Sequence, residues 1–216
     1  MKKYIAILTS LIFVSLNLAK AETEAVIGIT GAYHMLDASG TETVRSSGEL
    51  NSGAHSENIL VPEIFIEGGS ELVLGLAYIP TRDVGNKSRT DSGDQSAGTY
   101  KAEAELENVV QVYADYAFAS VPQGDVYFKL GIQHATLATL ESLNSGSSYP
   151  DADLFGYTLG LGVKGDLPYG DGLIFKADLT YTDFEDYSAG AADGNGNKIE
   201  ADLEDVAFKL SIGKKF

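Results

Sequence analysis

The 216-residue sequence contains no cysteine. That excludes a disulfide framework and a thiolate metal site, and leaves stability to packing and pairing. Basic residues are scarce: 15 Lys and Arg stand against 31 Asp and Glu, for a formal charge of −16. Such an acidic balance argues against a nucleic-acid partner. Beyond the first residues no stretch reaches the roughly 18 consecutive apolar residues that a transmembrane helix requires. Helical periodicity is scarcely present either, so if this chain enters a membrane it does so as strands.

What is there begins with a leader. Lys2 and Lys3, an apolar run from Tyr4 to about Leu18, and the small-residue site Ala19-Lys20-Ala21 read as a secretory signal peptide cleaved before Glu22. Residues 1–21 are then the leader and 22–216 a single mature domain. Loss of Lys2, Lys3 and Lys20 takes the formal charge from −16 to −19.

After Glu22 the pattern is short alternating segments separated by Gly, Ser, Asp and Asn clusters, which predicts an all-β domain. The segments are Ala25 to Leu36, Asn58 to Glu67, Glu71 to Thr81, Glu107 to Ala119, Asp125 to Leu137, Phe155 to Lys164, Gly172 to Thr182 and Asp205 to Phe216. Their even number suits an up-and-down meander. Three connections are tight and turn-rich: Glu67 to Ser70, Ser120 to Gly124, and Asp166 to Asp171. The other four, Asp37 to Glu57, Arg82 to Leu106, Ala138 to Leu154 and Asp183 to Glu204, are long, polar and acidic. Short turns at one end and long loops at the other give the shape of a transmembrane barrel.

The two faces agree with that shape. One carries Ile27, Ile29 and Tyr33, then Leu72 to Tyr78 at every second position, Val110 to Phe118 likewise, and Val126, Phe128, Leu130 and Ile132. It continues through Tyr157, Leu159, Leu161 and Val163, through Leu173, Phe175, Ala177, Leu179 and Tyr181, and through Phe208, Leu210, Ile212 and Phe216. The other face mixes small residues with charges of both signs: Glu63, Asp115, Lys129, Lys164, Lys176, Asp178 and Lys209. An outer-membrane barrel turns the first face to lipid and the second to its lumen. A soluble ligand-binding barrel would reverse them. Tyr33, Tyr78, Tyr157 and Tyr181, near the ends of apolar stretches, suit an interfacial girdle.

With its closing stripe Phe208, Leu210, Ile212 and Phe216, the chain resembles the small eight-stranded outer-membrane β-barrel proteins of Gram-negative bacteria, a group that includes the OmpA membrane domain, OmpX and OmpW. The resemblance covers the whole mature chain as architecture. It implies an eight-stranded antiparallel up-and-down transmembrane β-barrel with both termini in the periplasm. It also implies a terminal insertion signal for the barrel-assembly machinery, and contact with outer-membrane lipids and lipopolysaccharide. Lys214 departs from the family's pattern, which usually has an aromatic or aliphatic residue there. A peptidoglycan-binding domain like the one that follows the barrel in full-length OmpA-type proteins is not expected here.

An eight-stranded lumen is only wide enough for side chains. The seven lumen charges are therefore expected to form a plug of mutually paired ions, the alternative being a gated polar path. The expected role is non-enzymatic, without a cofactor: membrane integrity, and surface interaction with a possible extracellular partner through the long acidic loops. The runner-up is passage of a small or hydrophobic solute, through a lateral opening as proposed for OmpW-like barrels. Asp193, Asn195 and Asn197, with Glu200, Asp202 and Glu204 following, look like a calcium loop, but Lys198 stands where its glycine belongs, and a loosely solvated acidic loop is favoured. His134 and Thr136 with Glu141 beyond raise a lipid hydrolase, but Thr136 is the hydroxyl and no second carboxylate is evident. No catalytic or metal residue is assigned. His34 and His55 read as ordinary polar positions, and Arg82, Lys87, Arg89 and Lys101 as loop cations able to meet lipopolysaccharide phosphates.

Overall fold

A computed structural model describes residues 24–216, apart from 92–97, 140–146, 169 and 193. The leader therefore lies outside the described residues. The strands are β1 (Ala25–Val44), β2 (Glu49–Gly69), β3 (Leu72–Ile79), β4 (Arg82–Asp91), β5 (Gly98–Val121), β6 (Gly124–Thr139), β7 (Ala152–Asp166), β8 (Leu173–Phe184), β9 (Tyr187–Gly190) and β10 (Lys198–Lys215). All pairings are antiparallel, and β1 pairs with β10 to close a ring of eight: β1, β2, β3, β5, β6, β7, β8, β10. β4 continues the wall above β3 against β5, and β9 continues it above β8 against β10.

The register sets the size of the interior. Stepping across paired residues from Ile27 through Ile66, Leu76, Val112, Ile132, Tyr157, Asp183 and Glu204 returns to β1 at Asp37, a stagger of ten residues. For eight strands that stagger tilts each by about 40° and leaves a lumen that side chains alone can fill.

The alternation then sorts every strand into an inner and an outer face. The outer band includes Ile29 at 67% exposure, Leu60 at 72% and Leu130 at 58%, values that in water would be an extended apolar surface and in a bilayer are the lipid contact. Exposed Tyr33, Tyr78, Tyr157 and Tyr181 mark its loop end. Tyr116, Phe118 and Phe128 mark the turn end, where the Phe118 and Phe128 rings stack with centroids 4.4 Å apart. The C-terminal residue is tied in, since Phe216 N–H donates to Ala25 C=O at 2.8 Å.

Two expectations are corrected. First, much of the sequence between the predicted segments is strand and not loop. β1 and β2 stay paired up to Val44 and Glu49, with a four-residue turn in which Gly48 takes a φ of 72°. β4 and the start of β5 form a second hairpin. Gly and Ser are frequent in these stretches, which read locally as loop, but each inherits its register from the wall below, which outweighs weak strand propensity. Second, Arg82 is not a surface cation: it is 1% exposed inside the barrel. The side chains of Lys87, Arg89 and Lys101 lie outside the described residues.

The wall has one discontinuity. Ile64 pairs with Tyr78, and continuing that register brings Pro62 opposite Pro80. Neither has an N–H to donate, so the β2–β3 ladder stops. Above it, among the described residues, β2 is laddered to β1 alone and β4 to β5 alone. The gap is spanned by side chains, with the His55 ring of β2 lying over Gly85 of β4.

Leu130→Arg and Leu161→Arg each place a cation on the mid-height outer face. Each is expected to destabilise the barrel by roughly 2 to 4 kcal/mol in urea unfolding from lipid vesicles. Unchanged stability would remove these side chains from the lipid surface.

Candidate functional site: the layered lumen

The interior is stacked in layers. At the turn end, Lys176 Nζ binds Asp115 Oδ2 at 2.8 Å and also Glu67, while Lys129 Nζ binds Asp115 Oδ1 at 2.7 Å and lies 3.7 Å from Asp178. Lys164 lies 3.6 Å from Glu67 and is the most open of the group, its side chain 24% exposed. Tyr113 donates to Glu67 at 2.8 Å and Tyr127 to Asp178 at 2.6 Å. Both rings need space that only glycine leaves: a Cβ on Gly75 would fall 2.1 Å from Tyr113 Cζ, and one on Gly162 would fall 2.4 Å from Tyr127 Cζ. Lys129 Nζ sits 3.7 Å above the Tyr113 ring centroid, a cation–π contact. Three cations face three carboxylates.

The next layer is a chain of its own. Lys209 Nζ binds both oxygens of Glu63, at 2.8 and 3.0 Å. His34 bridges Glu63 through Nε2 at 3.1 Å and Asp205 through Nδ1 at 2.8 Å. Arg82 reaches in from β4, and its Nη2 donates to Asp205 Oδ2 at 3.1 Å. Beside it Gln133 donates to Thr158 and Thr182, and those two hydroxyls meet at 2.8 Å. Between the charged layers lies a cavity of about 20 Å³, lined by Thr30, Phe65, Tyr113, Lys129 and Lys209 among others, with room for one water.

Above the charges the inward face turns apolar. Leu36, Val61, Ile79, Val84, Leu106, Val109, Leu137, Leu154, Phe184 and Leu203 form a buried cluster. A polar cap closes the loop end: Tyr149 donates to Glu42 at 2.9 Å, and Asn195 and Asn197 donate to Ser147 at 2.7 and 3.1 Å.

The structure thus places Glu63, Asp115, Lys129, Lys176, Asp178 and Lys209 inside, each with an oppositely charged partner, and Lys164 at the turn-end mouth. Four partners escaped the sequence reading. Glu67 shares the parity of Glu63, Asp205 that of Lys209 and His34 that of Ala32, so each was available from alternation; Arg82 required knowing that the strand resumes after Pro80. His34, read as an ordinary polar position, is the centre of the second layer. Phe208, Leu210, Ile212 and Phe216 are all exposed on the outer band.

The other constellations take different forms. Asn197 Oδ1 accepts from Arg45 N–H and Asn195 Oδ1 from Asn197 N–H, so the amide oxygens of the calcium-like loop serve the backbone. Asp193 lies outside the described residues. Thr136 donates to Asp153 at 3.2 Å, and His134 Nε2 lies 3.7 Å from the same carboxylate oxygen. The carboxylate missing from the sequence reading is therefore Asp153, but it holds the hydroxyl itself; Glu141 lies outside the described residues.

No family model matches the chain, and no curated protein matches it. Solved structures do. Ail, the attachment invasion locus protein of Yersinia pestis, is 12% identical, with 90% of this chain and 99% of that one covered and a TM-score of 0.42. Neisserial surface protein A is 13% identical over 89% and 97%, with a TM-score of 0.44. Outer membrane protein AlkL, determined in DMPC lipid bilayers, is 12% identical over 89% and 90%, with a TM-score of 0.52. At these identities the likeness is one of fold. This chain is an all-β, antiparallel, eight-stranded barrel of the outer-membrane type, apolar outside and filled within.

Glu63→Gln removes the charge that Lys209 and His34 share. It is expected to lower the unfolding free energy by about 3 kcal/mol, because it strands a buried cation. Adding Lys209→Met should recover a large part of that loss in the same urea titration. A single variant as stable as the parent would contradict the network.

Proposed function

We propose that this protein is a non-enzymatic barrel of a Gram-negative outer membrane, exported by its leader, that does not conduct and serves membrane integrity and cell-surface contact. The observation that carries this reading is the filled lumen. Two charged layers, an apolar layer and a polar cap lie in series, and the described cavity between the charges holds no more than one water. Ions crossing such a stack would have to break buried pairs.

The surface half of the reading rests on the hairpins that rise above the tyrosine girdle. There Asp183, Glu204 and Asp37 face each other across β8, β10 and β1, and all three are exposed. Carboxylates directly opposed across strands repel. Placed beside lipopolysaccharide, whose phosphates are bridged by divalent cations, they have counter-ions to share. The barrel-assembly machinery is the expected reader of the C-terminal stripe.

A second reading is favoured by the seam at Pro62 and Pro80. An apolar solute could pass sideways between the upper lumen and the lipid without crossing the charged layers.

Two measurements test these roles. Planar-bilayer recording on the refolded mature protein is expected to be silent, and discrete conductance steps would contradict the closed lumen. Deletion of Phe216 should reduce the amount assembled in the outer membrane; normal insertion of the shortened chain would remove the terminal signal from the account.

A further inference from the structure

The seam lies where the interior changes character. On four strands the inward-facing residue beyond a charged one is aliphatic: Leu36 beyond His34, Val61 beyond Glu63, Val84 beyond Arg82 and Leu203 beyond Asp205. Two of the four pairs, Val61 with Glu63 and Val84 with Arg82, belong to the strands that flank the seam. A molecule entering sideways there would meet hydrocarbon above and charge below.

His34 has a carboxylate oxygen at each ring nitrogen, Glu63 at Nε2 and Asp205 at Nδ1. One cation of this layer is only partly satisfied. Arg82 is 1% exposed and gives Nη2 to Asp205, while its Nε and Nη1 have no hydrogen-bond partner. Buried donors without acceptors are costly, so the site is incomplete as it stands.

We propose that the upper lumen binds an amphiphile with a single negative charge, a long-chain carboxylate, its head on Arg82 and its chain among Leu36, Val61, Ile79, Val84 and Leu106. Its path is lateral, between β2 and β4, so the proposal rests on the lateral reading of function given above. One carboxylate gives the unpartnered Nε and Nη1 of the guanidinium the acceptor they prefer. The unpartnered Asp205 Oδ1 and Gln133 Oε1 take water that enters with the head and disfavour a second negative charge. The apolar cluster is closed without ligand, and the wall that yields is the part with no ladder to break.

The seam can be locked. A Cβ built on Gly85 lies 3.4 Å from His55 Cβ, close to the mean of about 3.8 Å in disulfides, and the chain has no other cysteine. The full mature chain in lipid nanodiscs is dialysed against radiolabelled dodecanoate or dodecanol, with empty nanodiscs subtracted. One saturable dodecanoate site is expected, at least tenfold tighter than dodecanol. Arg82→Gln, with folding checked by its heat-modifiable gel shift, should abolish that preference. The oxidised His55→Cys/Gly85→Cys variant should lose binding and regain it on reduction, a test that stands even if Arg82→Gln fails to fold. Equal binding of both probes, blocked by the lock, would overturn the anionic site and leave lateral access standing. No saturable binding of either would overturn both, and binding indifferent to the lock would overturn the route.

Discussion

Charges enclosed by a wall of eight strands have little water to fall back on, and the rest of this structure follows from how they are paired. Glu67, Asp115 and Asp178 meet Lys129, Lys164 and Lys176 in one layer; Glu63 and Asp205 meet His34, Arg82 and Lys209 in the next. Lys176 with Glu67, Lys209 with Glu63 and Arg82 with Asp205 join strands far apart in the chain, so the polar interior ties the ring together much as an apolar core does in a soluble domain. The network also constrains what surrounds it. Tyr113 and Tyr127 supply hydroxyls to carboxylates, and Gly75 and Gly162 stay small so that those rings fit. Isolated removal of one partner is therefore far more damaging than replacement of a whole pair.

Closure and opening coexist because they occupy different parts of the wall. The lower charged layer is ringed by continuous ladders, while the upper one, with Glu63 on β2 and Arg82 on β4, reaches the seam. The ladder between β2 and β3 ends at Ile64 and Tyr78, where two prolines face each other just above, and the discontinuity lies at the girdle. With the lower lumen plugged and the upper wall unladdered, the proposed path enters the apolar half from the side. That division is why a structural role and a lateral binding role are compatible in one barrel.

Much of this architecture is legible in the sequence because period-two alternation is robust over a dozen residues. Ile27 to Tyr33, Leu130 and Ile132, and Phe208 to Ile212 all lie on the outer face, and the residues between them lie inside. Illegible features depend on partners. Asp37 to Glu57 is Gly- and Ser-rich and has weak strand propensity of its own, yet β1 and β2 continue through it because each strand is templated by its neighbour. Arg82 follows Pro80 and reads as the start of a loop, whereas the wall resumes there and turns it inward. Pro62 and Pro80 are unremarkable until the register brings them opposite one another. The candidate site was thus half visible: its charges by parity, its seam only by pairing.

Everything above requires that water does not fill the lumen. Ala207 lies on the inner wall at 1% exposure between Asp205 and Lys209, and the chain is free of other thiols. Ala207→Cys in folded proteoliposomes, treated with a charged, membrane-impermeant thiol reagent, is the most direct test. The cysteine is expected to stay unmodified until the barrel is unfolded. Rapid labelling of the folded protein would mean an aqueous path through the charged layers and would contradict the closed lumen.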